Sequence, residues 1–179
     1  MEALGYAAHS ATEDLVPFRF ERRELRPDDV LIDILFCGVC HTDLHIARNH
    51  GGYTSYPVVP GHEIIGRVTR VGSAVSRFKV GDHVEGATSP YNGVDRHDHT
   101  RTFGGYSNTV AVSEDFVLRI PDGLELAGAA PLLCAGITTW APLHRWKVRA
   151  DSKVAAIGLG GLGHMALKLA KALGAEVTL

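Results

Sequence analysis

Three separated segments of the chain carry residues able to bind a metal. Cys40 sits in CGVCHTD, His62 and Glu63 in VPGHEIIG, and Cys134 in PLLCAGITT. Zinc takes thiolate, imidazole and carboxylate ligands, and a catalytic zinc site keeps one position open for substrate. Two thiolates and one histidine would suit such a site. The stretch FCGVCHTDLH adds a threonine, an aspartate and two histidines close by. A different signal comes from Gly158, Gly160 and Gly163, which form G-x-G-x-x-G in GLGGLG. That pattern gains meaning only between a strand and a helix, where a pyrophosphate can rest on the helix N-terminus.

The elements that must position these residues fall into two textures. VLIDILFCG (30–38) reads as a strand stopped by glycine, and EIIGRVTRVG (63–72) alternates apolar and polar positions. VGDHVEG (80–86) and SNTVAVSEDFVLRI (107–120) continue the pattern, with the polar stretch 89–105 as a loop. Short strands with frequent turn signals argue a barrel or sandwich. After Pro121 the chain turns rich in Ala and Leu, which predicts helices over 124–146 with Pro131 and Pro142 at or near their starts. Val154 to Ile157 predicts a short strand of the kind buried in a parallel sheet. Leu162, Ala166, Leu169, Ala170 and Leu173 predict an amphipathic helix, Gly174 its stop, and EVTL a second strand. The result is a β–α–β unit around the glycine motif. The acidic residue that would contact a cofactor ribose lies ~20 residues further on, past Leu179.

Composition narrows the function classes. The 179 residues are 45% hydrophobic and 21% charged, with a net charge of −2, which points to neither a nucleic acid nor an anionic membrane as partner. No apolar run approaches the ~18–20 residues of a membrane span. The first residues show no basic region followed by a long apolar stretch, and the three cysteines are few and odd in number. A cytoplasmic protein with thiols or thiolates is therefore expected. Cys37 and Cys40 form C-x-x-C, which could be a redox pair or half of a structural zinc site. It ends a strand, and three cysteines cannot make a four-cysteine site, so Cys37 reads as a buried core thiol. The remaining histidines, His50 among them, read as surface or packing residues.

Taken together, GVCHTDLH, YPVVPGHEIIGRVTRVGSAV, FGGYSNTVAV, PLLCAGITTW and GLGGLGHMALKLAKALGAEV resemble the zinc-dependent medium-chain alcohol dehydrogenases. The likeness is to the cinnamyl-alcohol-dehydrogenase-like branch, which includes bacterial NADP-dependent alcohol dehydrogenases. It implies a mixed β and α/β fold: a GroES-like β-barrel catalytic domain over 1–120, connecting helices over 121–150, and the first β–α–β of a Rossmann nucleotide-binding domain over 151–179. It implies Cys40, His62 and Cys134 as ligands of one catalytic zinc, with Glu63 as a carboxylate able to exchange with water on the metal. Thr42 and His45 match the proton relay, His41 a position near the cofactor phosphates, and Thr138 one beside the nicotinamide. Asp43 matches the partner that orients His62. Gly158, Gly160 and Gly163 would bind NADP(H) or NAD(H), with the branch favouring NADP. The implied reaction is hydride transfer between a small-molecule primary alcohol or aldehyde and the cofactor.

Two departures bear on this expectation. Most of the branch carries a cysteine-rich lobe with a structural zinc, whereas here no cysteine lies between Cys40 and Cys134, so that zinc is expected to be absent. Members also continue past the position of Leu179, where the rest of the Rossmann domain and the dimer interface would lie. A non-catalytic zinc-binding fragment is the alternative expectation. A third is a chain that borrows its other half from a partner.

Overall fold

The computed structural model describes residues 1–85 and 91–179, so the end of the expected 80–86 strand and the start of the expected 89–105 loop lie outside the described residues. The chain divides into two compact units, Met1–Ala130 and Pro131–Leu179.

The first unit is built on β-strands. β1 (Glu2–Ala7) and β2 (Val16–Glu21) pair antiparallel. β3 (Asp29–Gly38), β4 (Glu63–Val71), β5 (His83–Glu85), β6 (Thr109–Ser113) and β7 (Leu118–Arg119) form a five-stranded sheet in the order β6-β3-β4-β5-β7. The β3 and β4 expectations hold nearly to the residue. The expected 107–120 strand is broken into β6 and β7 by a 3-10 turn, Glu114–Phe116, whose start is capped by the Ser113 hydroxyl accepting from the Asp115 N–H.

The expected barrel is borne out only in part. Among the described residues the ladder is open, because β6 and β7 stand at opposite edges and do not pair with each other. The sheet is nonetheless curled. Four strand spacings of ~4.8 Å put the edges of a flat sheet ~19 Å apart. Only residues 114–117 join β6 to β7, and a stretch containing a 3-10 turn falls short of that span.

Alternation places the core. Val30 and Ile32 from β3, Ile64 and Val68 from β4, and Val110 and Val112 from β6 bury their side chains together with Phe78 and Val117. Cys37 packs against this cluster but is half-buried, short of the buried thiol expected. A smaller cluster joins Ala3, Ala7, Phe20 and Val59, with Phe18, Phe103 and Tyr106 against it. Helix α1 (His41–Ala47) is anchored by Ile46, buried with Ala8 and Val58. The unit ends in a single helical turn, α2 (Leu126–Ala129), capped by the Glu125 carboxylate.

The second unit holds α3 (Ala135–Arg145), β8 (Lys153–Ala155), α4 (Gly161–Ala172) and β9 (Glu176–Thr178), with β8 and β9 parallel. The expected β–α–β is therefore present. Its core joins Leu143, Ala170 and Ala175 to Val154, Leu169, Leu173 and Val177. Pro131 precedes α3 in a 3-10 turn, Ala130–Leu133, but Pro142 lies inside the helix and not near its start. Proline there cannot donate to the Thr138 carbonyl. The last turn continues because the Pro142 carbonyl still accepts from the Trp146 N–H at 2.9 Å. Ile157, expected in a buried strand, follows β8 and is fully exposed, while Ala156 is buried. Among the described residues, no single helix is long and apolar enough to cross a membrane.

Candidate metal centre

Cys40 stands at the N-cap of α1, two residues after β3 ends. His62 and Glu63 arrive together: Glu63 opens β4 and pairs with Gly38 in the β3–β4 register. The segment before them is fixed by backbone pairing. Gly104 donates to Val59, Tyr106 to Pro60 and Gly105 to Gly61, at 2.7, 2.9 and 2.8 Å. The result brings the ligand atoms of Cys40, His62 and Glu63 within 4.8 Å of one another. Ligands at zinc distances of 2.0–2.3 Å in a tetrahedron stand about 3.3–3.8 Å apart, so small side-chain movements suffice. Thiolate, imidazole and carboxylate donors of this kind fit a zinc ion.

Glycine at 38 leaves room for the Glu63 side chain. A Cβ at that position would overlap the Glu63 carboxylate, itself buried at 4% exposure. Cys37, next in the chain, faces the core instead. Burial pushes its thiol up to about 12, with the Asp43 and Glu63 charges adding and a hydrogen bond at Glu63 opposing.

Asp43 ties the centre together. It is buried in α1 at 3% exposure and, among the described residues, accepts the following hydrogen bonds. Oδ2 accepts from the Cys40 N–H at 3.1 Å and the Tyr106 hydroxyl at 3.2 Å. Oδ1 accepts from the Gly61 N–H at 2.8 Å, His62 Nδ1 at 3.0 Å and the Tyr91 hydroxyl at 2.6 Å. Burial alone would raise this carboxyl, but the His62 and Tyr91 bonds outweigh it and hold the carboxyl below its ordinary range. The Asp43 hydrogen bond in turn raises His62 to about 9 against the opposing effect of burial. With Nδ1 bonded to Asp43, Nε2 is the nitrogen left to a metal.

Sequence reasoning missed Tyr91 and Tyr106. Their partner lies 48 and 63 positions away, and no periodicity reports such a pairing. His41, Thr42 and His45 lie on the exposed side of α1. His45 Nδ1 is 2.7 Å from Nδ1 of His50, so one ring donates to the other. That contact was also invisible in the sequence, where His50 read as a surface or packing residue.

In the second unit, Cys134 occupies the N-cap of α3, and its carbonyl accepts from the Thr138 N–H at 2.9 Å. Cys40 and Cys134 thus both head helices, where the aligned peptide dipoles favour an anionic group. Thr138 is exposed on α3. At the glycine motif, Gly158 has φ +87° and Gly160 caps α4. A Cβ at Gly163 would overlap the Gly158 carbonyl, whereas one at Gly160 would meet nothing within 4 Å. Two of the three glycines are thus demanded by the turn itself, and the third leaves open backbone at the helix start.

The family model for the alcohol dehydrogenase GroES-like domain matches residues 26–122, more than half of the chain. The chain belongs to this alcohol dehydrogenase family. Its relatives place it in the medium-chain branch of cinnamyl alcohol dehydrogenases and NADP-dependent alcohol dehydrogenases. It is 50% identical to the NADP-dependent alcohol dehydrogenase C 1 of Mycolicibacterium smegmatis, matching 97% of this chain and 56% of that protein. A cinnamyl alcohol dehydrogenase structure from Sorghum bicolor superposes with a TM-score of 0.95 at 44% identity, covering 99% of this chain and 57% of that one. The Helicobacter pylori enzyme, solved in complex with NADP(H), gives 0.94 at 40% identity, covering 99% and 58%. The chain therefore spans little more than half the length of these alcohol dehydrogenases. The match to the M. smegmatis protein runs over 198 positions, more than the 179 residues of this chain, so that relative has residues inside the matched region that this chain lacks.

Proposed function

We propose that this chain carries the zinc-binding half of an alcohol dehydrogenase site, with Cys40, His62 and Cys134 as ligands and Glu63 as the exchangeable carboxylate. The reaction is hydride transfer between a primary alcohol or aldehyde and NADP(H). The observation that carries the reading is the gathering of Cys40, His62 and Glu63 around one point, with His62 locked from behind by a buried carboxylate. The NADP preference rests on the relatives.

A zinc ion held by these residues would supply a Lewis acid that polarises an alcohol or carbonyl oxygen and lowers the alcohol pKa. The chain's own residues supply the rest. Asp43 fixes the His62 tautomer and ring direction. Thr42 and His45 carry the alcohol proton outward, and the exposure of His45 gives that proton a route to solvent. The turn at Gly158, Gly160 and Gly163 would hold a cofactor pyrophosphate, with His41 toward the phosphates and Thr138 beside the nicotinamide, and the bound cofactor would supply the hydride acceptor or donor.

A titration of the purified chain with NADPH and NADH, with zinc measured on the same sample, tests the reading. About one zinc per chain, saturable NADPH binding and aldehyde reduction are expected. Zinc without cofactor binding would replace the dehydrogenase reading with a metal-binding fragment. Absence of zinc would overturn both.

A further inference from the structure

We propose that Tyr91 is a positioning residue of the metal centre: its hydroxyl, delivered by the 91–102 loop, fixes the Asp43 carboxylate and through it the direction in which His62 presents its metal-binding nitrogen. This rests on the zinc reading above.

The geometry singles out Tyr91 among the described donors to Asp43. Its bond of 2.6 Å is the shortest of them, and it falls on the same oxygen that holds His62. A carboxylate held only by His62 could turn about its Cβ–Cγ bond and carry the imidazole with it. Oδ1 also accepts from the Gly61 N–H beside His62, and Tyr91 is its donor from a separate segment, which removes that freedom. The Tyr91 ring also lies nearly parallel to the His62 ring, at 6.1 Å between centroids and 25° between planes. Its apolar face packs against the cluster of Ala8, Ile46 and Val58 that anchors α1.

The loop behind Tyr91 is built to hold it still. The Arg26 guanidinium bonds both oxygens of Asp95 at 3.0 and 2.8 Å and reaches Asp98 at 2.8 Å. The Asn92 side chain accepts from the Ser55 N–H at 2.8 Å. Backbone bonds join Asn92 to Thr102 and Thr102 to Gly93 at 3.2 and 3.0 Å. Tyr106 also reaches Asp43, but at 3.2 Å and on the other oxygen, which makes it an internal comparison.

The test is zinc affinity of the full chain by chelator competition, together with the visible absorption spectrum of the Co(II)-loaded chain, for wild type, Tyr91→Phe and Tyr106→Phe. Tyr91→Phe keeps the ring and removes only the hydroxyl. We expect it to bind zinc about 10-fold more weakly, as loss of an outer partner of a ligand does, with an altered Co(II) spectrum. Tyr106→Phe should change both less. Zinc affinity within twofold of wild type or tighter, with an unchanged Co(II) spectrum, would overturn the role of Tyr91 and leave the zinc reading standing. A wild-type chain that binds no zinc would overturn both. Should Tyr91→Phe fail to fold, 3-fluorotyrosine placed at position 91 keeps the hydroxyl and decides the matter. Its fluorine resonance is expected to shift when zinc is added, and an unmoved resonance would overturn the proposal.

Discussion

Gly38 and Glu63 face each other across the β3–β4 ladder, and the Glu63 carboxylate fills the space that any side chain at position 38 would need. A backbone feature of one strand thus makes room for a metal-capable group on the next. Gly38→Ala is expected to lower stability by about 1–3 kcal/mol through overpacking, and to lower zinc affinity because Glu63 and its neighbour His62 must shift. Urea unfolding with zinc titration checks this. A wild-type midpoint with wild-type zinc affinity would contradict it.

The Asp43–His62 pair gives the metal-free chain a defined pH response. His62 is raised from 6.5 to about 9 by Asp43, so its protonated pair stabilises the fold fully below about pH 6.5 and loses that contribution as pH climbs through about 9. Asp43 is lowered, so its contribution is present above its unfolded value of 3.8 and fades as the solution turns more acid. An NMR titration of the metal-free chain should place the His62 midpoint near 9, and Asp43→Asn should bring it back to 6.5 or below. A wild-type midpoint at 6.5 would contradict the geometry.

Local pattern made much of this fold legible. Alternation marked β3 and β4, the apolar spacing marked α4, and the glycines marked the turn before it. Closure was not legible, because whether β6 pairs with β7 depends on partners that no strand's own pattern encodes. Ile157 read as buried because an apolar run resembles a strand covered on both faces, whereas it follows the end of β8. Pro142 misled because propensity favours the first helical turn, while this helix spans it and buries Leu143 beyond it. At the site, residue types and their resemblance to the family singled out Cys40, His62 and Glu63. The hydroxyls of Tyr91 and Tyr106 come from loops far along the chain and left no mark in spacing.

Arg22 ties together several segments of the first unit outside the metal centre. It is nearly buried and gives hydrogen bonds to the carbonyls of Phe103, Gly104 and Thr109 and to the Ser107 hydroxyl, with its guanidinium over the Phe20 ring. Burial lowers it to about 9, which leaves it charged at neutral pH. The segment it grips carries Gly105 and Tyr106, which pair with the chain just before His62. Lysine lacks the planar fork, so Arg22→Lys should cost at least about 3 kcal/mol and weaken zinc binding. Urea unfolding checks the first outcome, and near wild-type stability would contradict it.

X-ray absorption at the zinc edge of the zinc-loaded chain tests the central claim most directly. Two sulfur scatterers at about 2.3 Å with one or two nitrogen or oxygen scatterers near 2.0–2.1 Å are expected. Cys40→Ser and Cys134→Ser should each remove one sulfur. A first shell with one sulfur or none in the unaltered chain would contradict the assignment of Cys40, His62 and Cys134 as a single zinc site.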